Sequence, residues 1–119
     1  MKIERGGIYL VDFGVSYRSE PGKVRPALVW QSDMINEALD AAPFPSVIVI
    51  PCTTDLKGGR FRYPIGPRDD LHRPSELILQ WICSLDLKRF RSDKPLTRLS
   101  AEERLDIRKR LDFIFGYLD

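Results

Sequence analysis

Six residues in the middle of the chain, Ser46-Val47-Ile48-Val49-Ile50-Pro51, form an almost continuous β-branched run. Such a run reads as a strand buried on both faces. It stops in Cys52-Thr53-Thr54-Asp55, so the most buried element of the chain ends in polar groups. Whatever fold forms must pack around this strand and must leave its polar end somewhere useful.

The flanking segments are short. Gly7-Ile8-Tyr9-Leu10-Val11-Asp12-Phe13 reads as a strand bounded by glycines. Ser19-Glu20-Pro21-Gly22-Lys23-Val24-Arg25-Pro26 is a polar turn, with proline presetting one φ and Gly22 accepting a positive one. Pro26 pushes Arg25 into an extended conformation at the mouth of a second strand, Ala27 to about Gln31. Ser32 or Asp33 caps a short helix through Met34, Ile35, Ala38 and Leu39.

Beyond the central run, Lys57-Gly58-Gly59 is a turn. Arg60-Phe61-Arg62-Tyr63-Pro64-Ile65 then alternates, with both arginines on one face. Residues 66–74 are a loop, and Glu76 to Cys83 reads as one long buried strand. Asp86 to Phe90 suggests one helical turn, and Pro95 to Leu99 a short edge strand. Ser100-Ala101-Glu102-Glu103 is a capping box. It opens an amphipathic helix with Ile107, Leu111, Ile114, Phe115 and Leu118 on one stripe. Five or six strands with short turns and one terminal helix indicate α+β architecture, mostly β, in a small antiparallel barrel.

The 119 residues, 1–119, suit a single domain with one modest core. No apolar run approaches the ~20 residues of a membrane helix. The start lacks the apolar core of a secretory signal. Cys52 and Cys83 match no metal spacing and read as reduced thiols of a cytoplasmic protein. A net charge of +2 argues for no polyanion by itself.

His72 is the only histidine, which excludes paired-histidine ribonuclease chemistry and leaves a nucleophilic triad without support. It reads as a solvated loop residue. No metal site and no glycine-rich phosphate loop is apparent, and no cofactor is expected. What remains is a set of polar groups at strand ends. If the strands that follow Arg25 and precede Thr53 pair antiparallel, these two residues share one sheet edge. There a guanidinium fork and a hydroxyl could hold a phosphate. Arg60 and Arg62 would widen the basic surface, and Tyr17 and Arg18 could stack on and attract unpaired bases. The competing reading is the solvated face of a half-buried strand.

The sequence resembles the MazF/PemK toxins. The resemblance rests on Arg5-Gly6, Ile8-Tyr9, Val11-Asp12, Ser19-Glu20 with Gly22, and Arg25-Pro26. It continues through Gln31, Asp33 and Asn36, Val49 to Thr54, Ser84-Leu85-Asp86, and the segment from Leu96 to Leu118. It implies an SH3-like barrel, a homodimer, and metal-independent, sequence-specific cleavage of single-stranded RNA under control of a MazE-like antitoxin. DNA binding would come only through the antitoxin. By resemblance, Arg25 and Thr53 take the catalytic positions and Glu20 a third. Arg25 stabilises transition-state charge, Thr53 holds a phosphate oxygen, and Glu20 is either the base or a carboxylate orienting Arg25. Tyr17, Arg18, Lys23, Thr54, Lys57, Arg60, Arg62 and Gln80 are the candidate RNA contacts.

The chain also departs from the family pattern. Trp81 and Cys83 stand where many members have a glutamine and a basic residue, Gly7 where an acid is usual, and Pro21 where glutamine is common. Gln80, one position earlier, would face the other side of a strand. The alternative function is an inactive barrel that binds RNA without cutting it, or a protein target in the manner of a related gyrase-inhibiting toxin family. Phe113, off the apolar stripe, is the candidate dimer contact.

Overall fold

The computed structural model describes residues 2–15 and 22–117. Tyr17, Arg18, Glu20 and Leu118 lie outside the described residues. Seven strands occur among the described residues, more than the five or six expected. They are β1 (Gly7–Asp12), β2 (Val24–Val29), β3 (Ser46–Thr53), β4 (Arg62–Ile65), β5 (Ser75–Ile78), β6 (Cys83–Asp86) and β7 (Thr97–Arg98). Helix α1 (Asp33–Glu37) follows β2, and α2 (Ala101–Phe115) ends the chain's regular structure. All strand pairs are antiparallel.

The β-branched run is the centre of this sheet. β3 pairs with β2 along one edge. Its other edge is shared, the first half by β6 and the last residues by β5. Alternation sends its side chains to two separate cores. Ile50 and Cys52 pack with Ile8, Leu28 and Leu77 under Ile107 and Leu111 of α2. Val47 and Val49 pack with Tyr9, Val11, Ala27, Val29 and Phe90 on the opposite face. Ile48 departs from the expectation of full burial and is 39% exposed.

Several boundaries differ from the sequence reading, each for a physical reason. The expected strand from Glu76 to Cys83 is broken by a tight helical turn, Leu79–Trp81. The Leu79 N–H donates to the Phe61 carbonyl at 2.9 Å and the Ile82 N–H closes back on Leu79. That break lets two short strands divide one edge of β3. β2 begins earlier than expected, at Val24, so Arg25 is inside a strand and not before one. β4 begins only at Arg62, leaving Arg60 in the preceding turn. Among the described residues of the β1–β2 loop, Gly14 at φ 77° and Lys23 at φ 55° are left-handed. The Lys23 carbonyl accepts from Phe13 N–H at 2.9 Å, and the Lys23 N–H donates to the Gly14 carbonyl, closing the loop.

The two ends read most directly did form as expected. Ser32 caps α1 through its side chain, accepting from Ile35 N–H. Ser100 and Glu103 make the reciprocal capping box of α2. Ile107 and Leu111 are buried, whereas Phe115 is 48% exposed and tilts against Tyr117 instead of entering the core.

Candidate active site

The β2–β3 register pairs Ala27 with Pro51. Two residues further along each strand, the same register sets Arg25 opposite Thr53. β5 continues the row, because Thr53 pairs with Glu76. Residues directly opposite in antiparallel strands project to the same face. Arg25, Thr53 and Glu76 therefore form one polar row across three strands, at the end where the apolar run of β3 gives out. The sequence reading anticipated the first two of these neighbours.

Arg25 is held from three sides. Its Nε donates to the Gly22 carbonyl at 3.1 Å, and Nη1 donates to the Cys52 carbonyl at 3.4 Å. The guanidinium carbon lies 5.7 Å from the centroid of the Trp81 ring. A guanidinium carries about five N–H donors, so a fork remains for an anion once two are engaged. Partial burial lowers its pKa from the ordinary arginine value. The neighbouring Cys52 thiol, fully buried, is pushed up to about 12, so it stays neutral and offers Arg25 no counter-charge.

Thr53 is oriented by its own turn. Its Oγ1 accepts from the Asp55 backbone N–H at 3.0 Å. With that lone pair occupied, the hydroxyl proton is left to donate outward.

Glu76 was not singled out by sequence. It is buried, and its carboxylate gathers the backbone N–H groups of Lys57 and Gly58 and the Arg62 guanidinium, at 2.9 to 3.2 Å. Burial alone would raise its pKa, but these donors outweigh it and the carboxyl titrates below its ordinary value. Glu76 thereby pins the segment between Thr53 and β4. An acid at the head of an apolar run, with an alternating arginine one strand earlier, was the available signal.

The other candidates are dispersed. Arg62 reaches the row but is bound there, 3.0 Å from Glu76, so its charge is neutralised instead of widening a basic surface. Arg60 sits over the Phe113 ring of α2 at 4.8 Å, away from Arg25. Lys57 pairs with Asp55 at 3.6 Å, both exposed. Gln80 is exposed on the tight turn and not on a strand, which overturns the argument from strand sidedness.

A cavity of about 430 Å³ adjoins the row, lined by Arg25 and Thr53 together with Leu10, Pro26, Cys52 and Leu71, and with Lys23, Thr54, His72 and Arg73 among its other polar members. Leu10, Pro26 and Cys52 alternate onto the opposite face from Arg25 and Thr53. The one imidazole, exposed, lines the same cavity as Arg25 and Thr53.

The sequence and the fold have known counterparts. The sequence pattern of the PemK-like, MazF-like toxins of type II toxin–antitoxin systems matches residues 4–115. Endoribonuclease MazF of Staphylococcus epidermidis is 30% identical over 117 residues, covering 96% of this chain and 92% of that protein. The fold is similar to crystalline MazF of Deinococcus radiodurans, with TM-score 0.78, 21% identity, and 98% of each chain covered. It is also similar to a mycobacterial endoribonuclease in complex with its cognate antitoxin, with TM-score 0.72, 18% identity, and 96% and 95% of the two chains covered. With its mostly antiparallel sheet, its terminal helix and a match over almost its whole length, this chain belongs to the PemK-like, MazF-like toxins of type II toxin–antitoxin systems.

Proposed function

We propose that this protein is an endoribonuclease toxin that cuts single-stranded RNA at short sequences without a metal, and that a cognate antitoxin silences it. The observation that carries the reading is the Arg25–Thr53 pair at one sheet edge. In the proposed reaction the RNA 2′-hydroxyl oxygen bonds to the adjacent phosphorus and the bond to the 5′-oxygen breaks. The products are a cyclic phosphate and, once the leaving oxygen has taken a proton from water, a 5′-hydroxyl. The enzyme then supplies no nucleophile. It must hold the phosphate in line and stabilise the added negative charge.

The unengaged part of the Arg25 fork suits the two non-bridging oxygens, and the Thr53 hydroxyl donates to one of them. Arg25 is a poor proton donor, because a guanidinium is reluctant to give up its proton near neutral pH. Glu20, outside the described residues, is the proposed acceptor of the 2′-hydroxyl proton. The protein is proposed to act in the cytoplasm as a homodimer. Exposed Phe113 and Phe115 on α2 are apolar contacts available for pairing. The antitoxin is proposed as a MazE-like partner, since structures of MazF relatives contain one.

The test is incubation of the purified protein with a long single-stranded RNA in EDTA. Discrete cuts with cyclic phosphate or 3′-phosphate ends, lost in Arg25→Ala, are expected. Intact RNA at every salt concentration, with or without binding, would overturn the reading.

A further inference from the structure

Trp81 is the largest side chain of the tight turn between β5 and β6, and it belongs to neither core. Aromatic residues of this size ordinarily contribute to a fold by burial. Here the indole is only partly buried and its ring lies against the Arg25 guanidinium. The contact joins a π-surface to the group that would hold the scissile phosphate. A nucleobase hangs one sugar away from its own phosphate. An aromatic ring in contact with the phosphate-binding arginine is therefore within reach of a base flanking the cut.

Resting on the RNA-cutting reading above, we propose that the solvent-facing part of the Trp81 indole is a stacking platform for one nucleobase next to the scissile phosphate. Stacking of this kind accepts any base, because every base has a π-face. The subsite therefore demands that a base be present and favours purines through their larger area. Base identity would be read elsewhere. Trp81 also steadies Arg25 through the cation–π contact. The two roles separate experimentally, because only stacking depends on the substrate's base.

The experiment uses the full chain with Trp30→Phe, so that Trp81 is the sole indole. A short single-stranded RNA spanning a mapped cut is made non-cleavable by a 2′-deoxy sugar at the cut. It is then titrated while Trp81 fluorescence is followed. Companion RNAs lack the base on one side of the cut or the other. If the wild-type protein makes no cut, oligouridylate with and without internal base-free sugars takes the place of the mapped RNA. That substitution keeps failure of the nuclease reading apart from failure of the stacking proposal.

Quenching is expected with intact RNA, and removal of one particular base should abolish it and weaken binding roughly 10-fold or more. Trp81→Leu should bind intact RNA as weakly as the parent binds the base-free RNA, and should lose nothing further on that RNA. Trp81→Phe should recover most of the affinity. Equal loss on intact and base-free RNA in Trp81→Leu would show a positioning role alone and overturn the proposal. So would unchanged fluorescence on saturation.

Discussion

The guanidinium of Arg25 donates to the carbonyl of Cys52, the peptide group that leads directly into Thr53, at 3.4 Å. The anion-binding fork and the hydroxyl are thus tied to one peptide unit, and neither can shift without the other. Arg25→Lys should consequently fail to restore activity. An ammonium cannot reach the Gly22 and Cys52 carbonyls while also presenting two parallel donors. A loss of roughly 100-fold or more in the single-turnover cleavage rate is expected, with the unfolding midpoint near that of the parent. Parent-like cleavage by the lysine variant would show that charge alone suffices.

Thr53 has two duties that different substitutions separate. Thr53→Ser keeps both the acceptor for Asp55 N–H and an outward hydroxyl, and should retain most activity. Thr53→Val keeps the shape but loses both. One lost donor to the transition state should cost about 2 to 4 kcal/mol, read as a fall in kcat with little change in KM. If valine cleaves as well as serine, the hydroxyl has no part in the chemistry.

Glu76 gives the chain an acid-sensitive fastening. Its pKa is lowered in the fold, so the stabilisation is complete above the ordinary glutamate range and is lost as pH falls through the lower folded value. Glu76→Gln should lie about 3 kcal/mol below the parent at neutral pH, because the partly buried Arg62 loses its charged partner and keeps only the Asp55 carbonyl. As the pH falls below that folded value the two proteins should converge. Urea unfolding at a series of pH values reads this directly, and a constant gap across the series would contradict it.

Ser100→Ala removes the side-chain acceptor for Glu103 N–H at the start of α2. It should cost about 1 kcal/mol of stability. Because α2 begins far from the polar row in the chain and contributes nothing to it, RNA cleavage below the unfolding transition should be unchanged. A selective loss of cleavage would instead tie the helix start to the site.

The residues differ in how openly the sequence announced them. Arg25 and Thr53 were legible because antiparallel pairing of two recognisable strands forces their ends together, whatever the loops do. The capping box of α2 was legible because it is wholly local. Trp81 and Glu76 were hidden by one misread segment. No glycine or proline marks the turn at Leu79–Trp81, and it forms because distant partners, Phe61 and the two halves of β3, require it. Arg62 was misjudged for a related reason. Strand alternation gives a side chain's face but not its partner, and only the fold brought Glu76 beside it.

β3 is hydrogen-bonded to strands along both margins, to β2 on one side and to β6 and β5 in succession on the other. Each of its amides is bonded to one neighbour, and those turned to β2, itself held by β1, cannot meet solvent by the fraying of an edge strand. Deuterium should enter them last, through whole-molecule opening alone. Exchange at Ile50 would then serve as an internal gauge of total stability, independent of any denaturant, against which every substitution in the polar row can be calibrated.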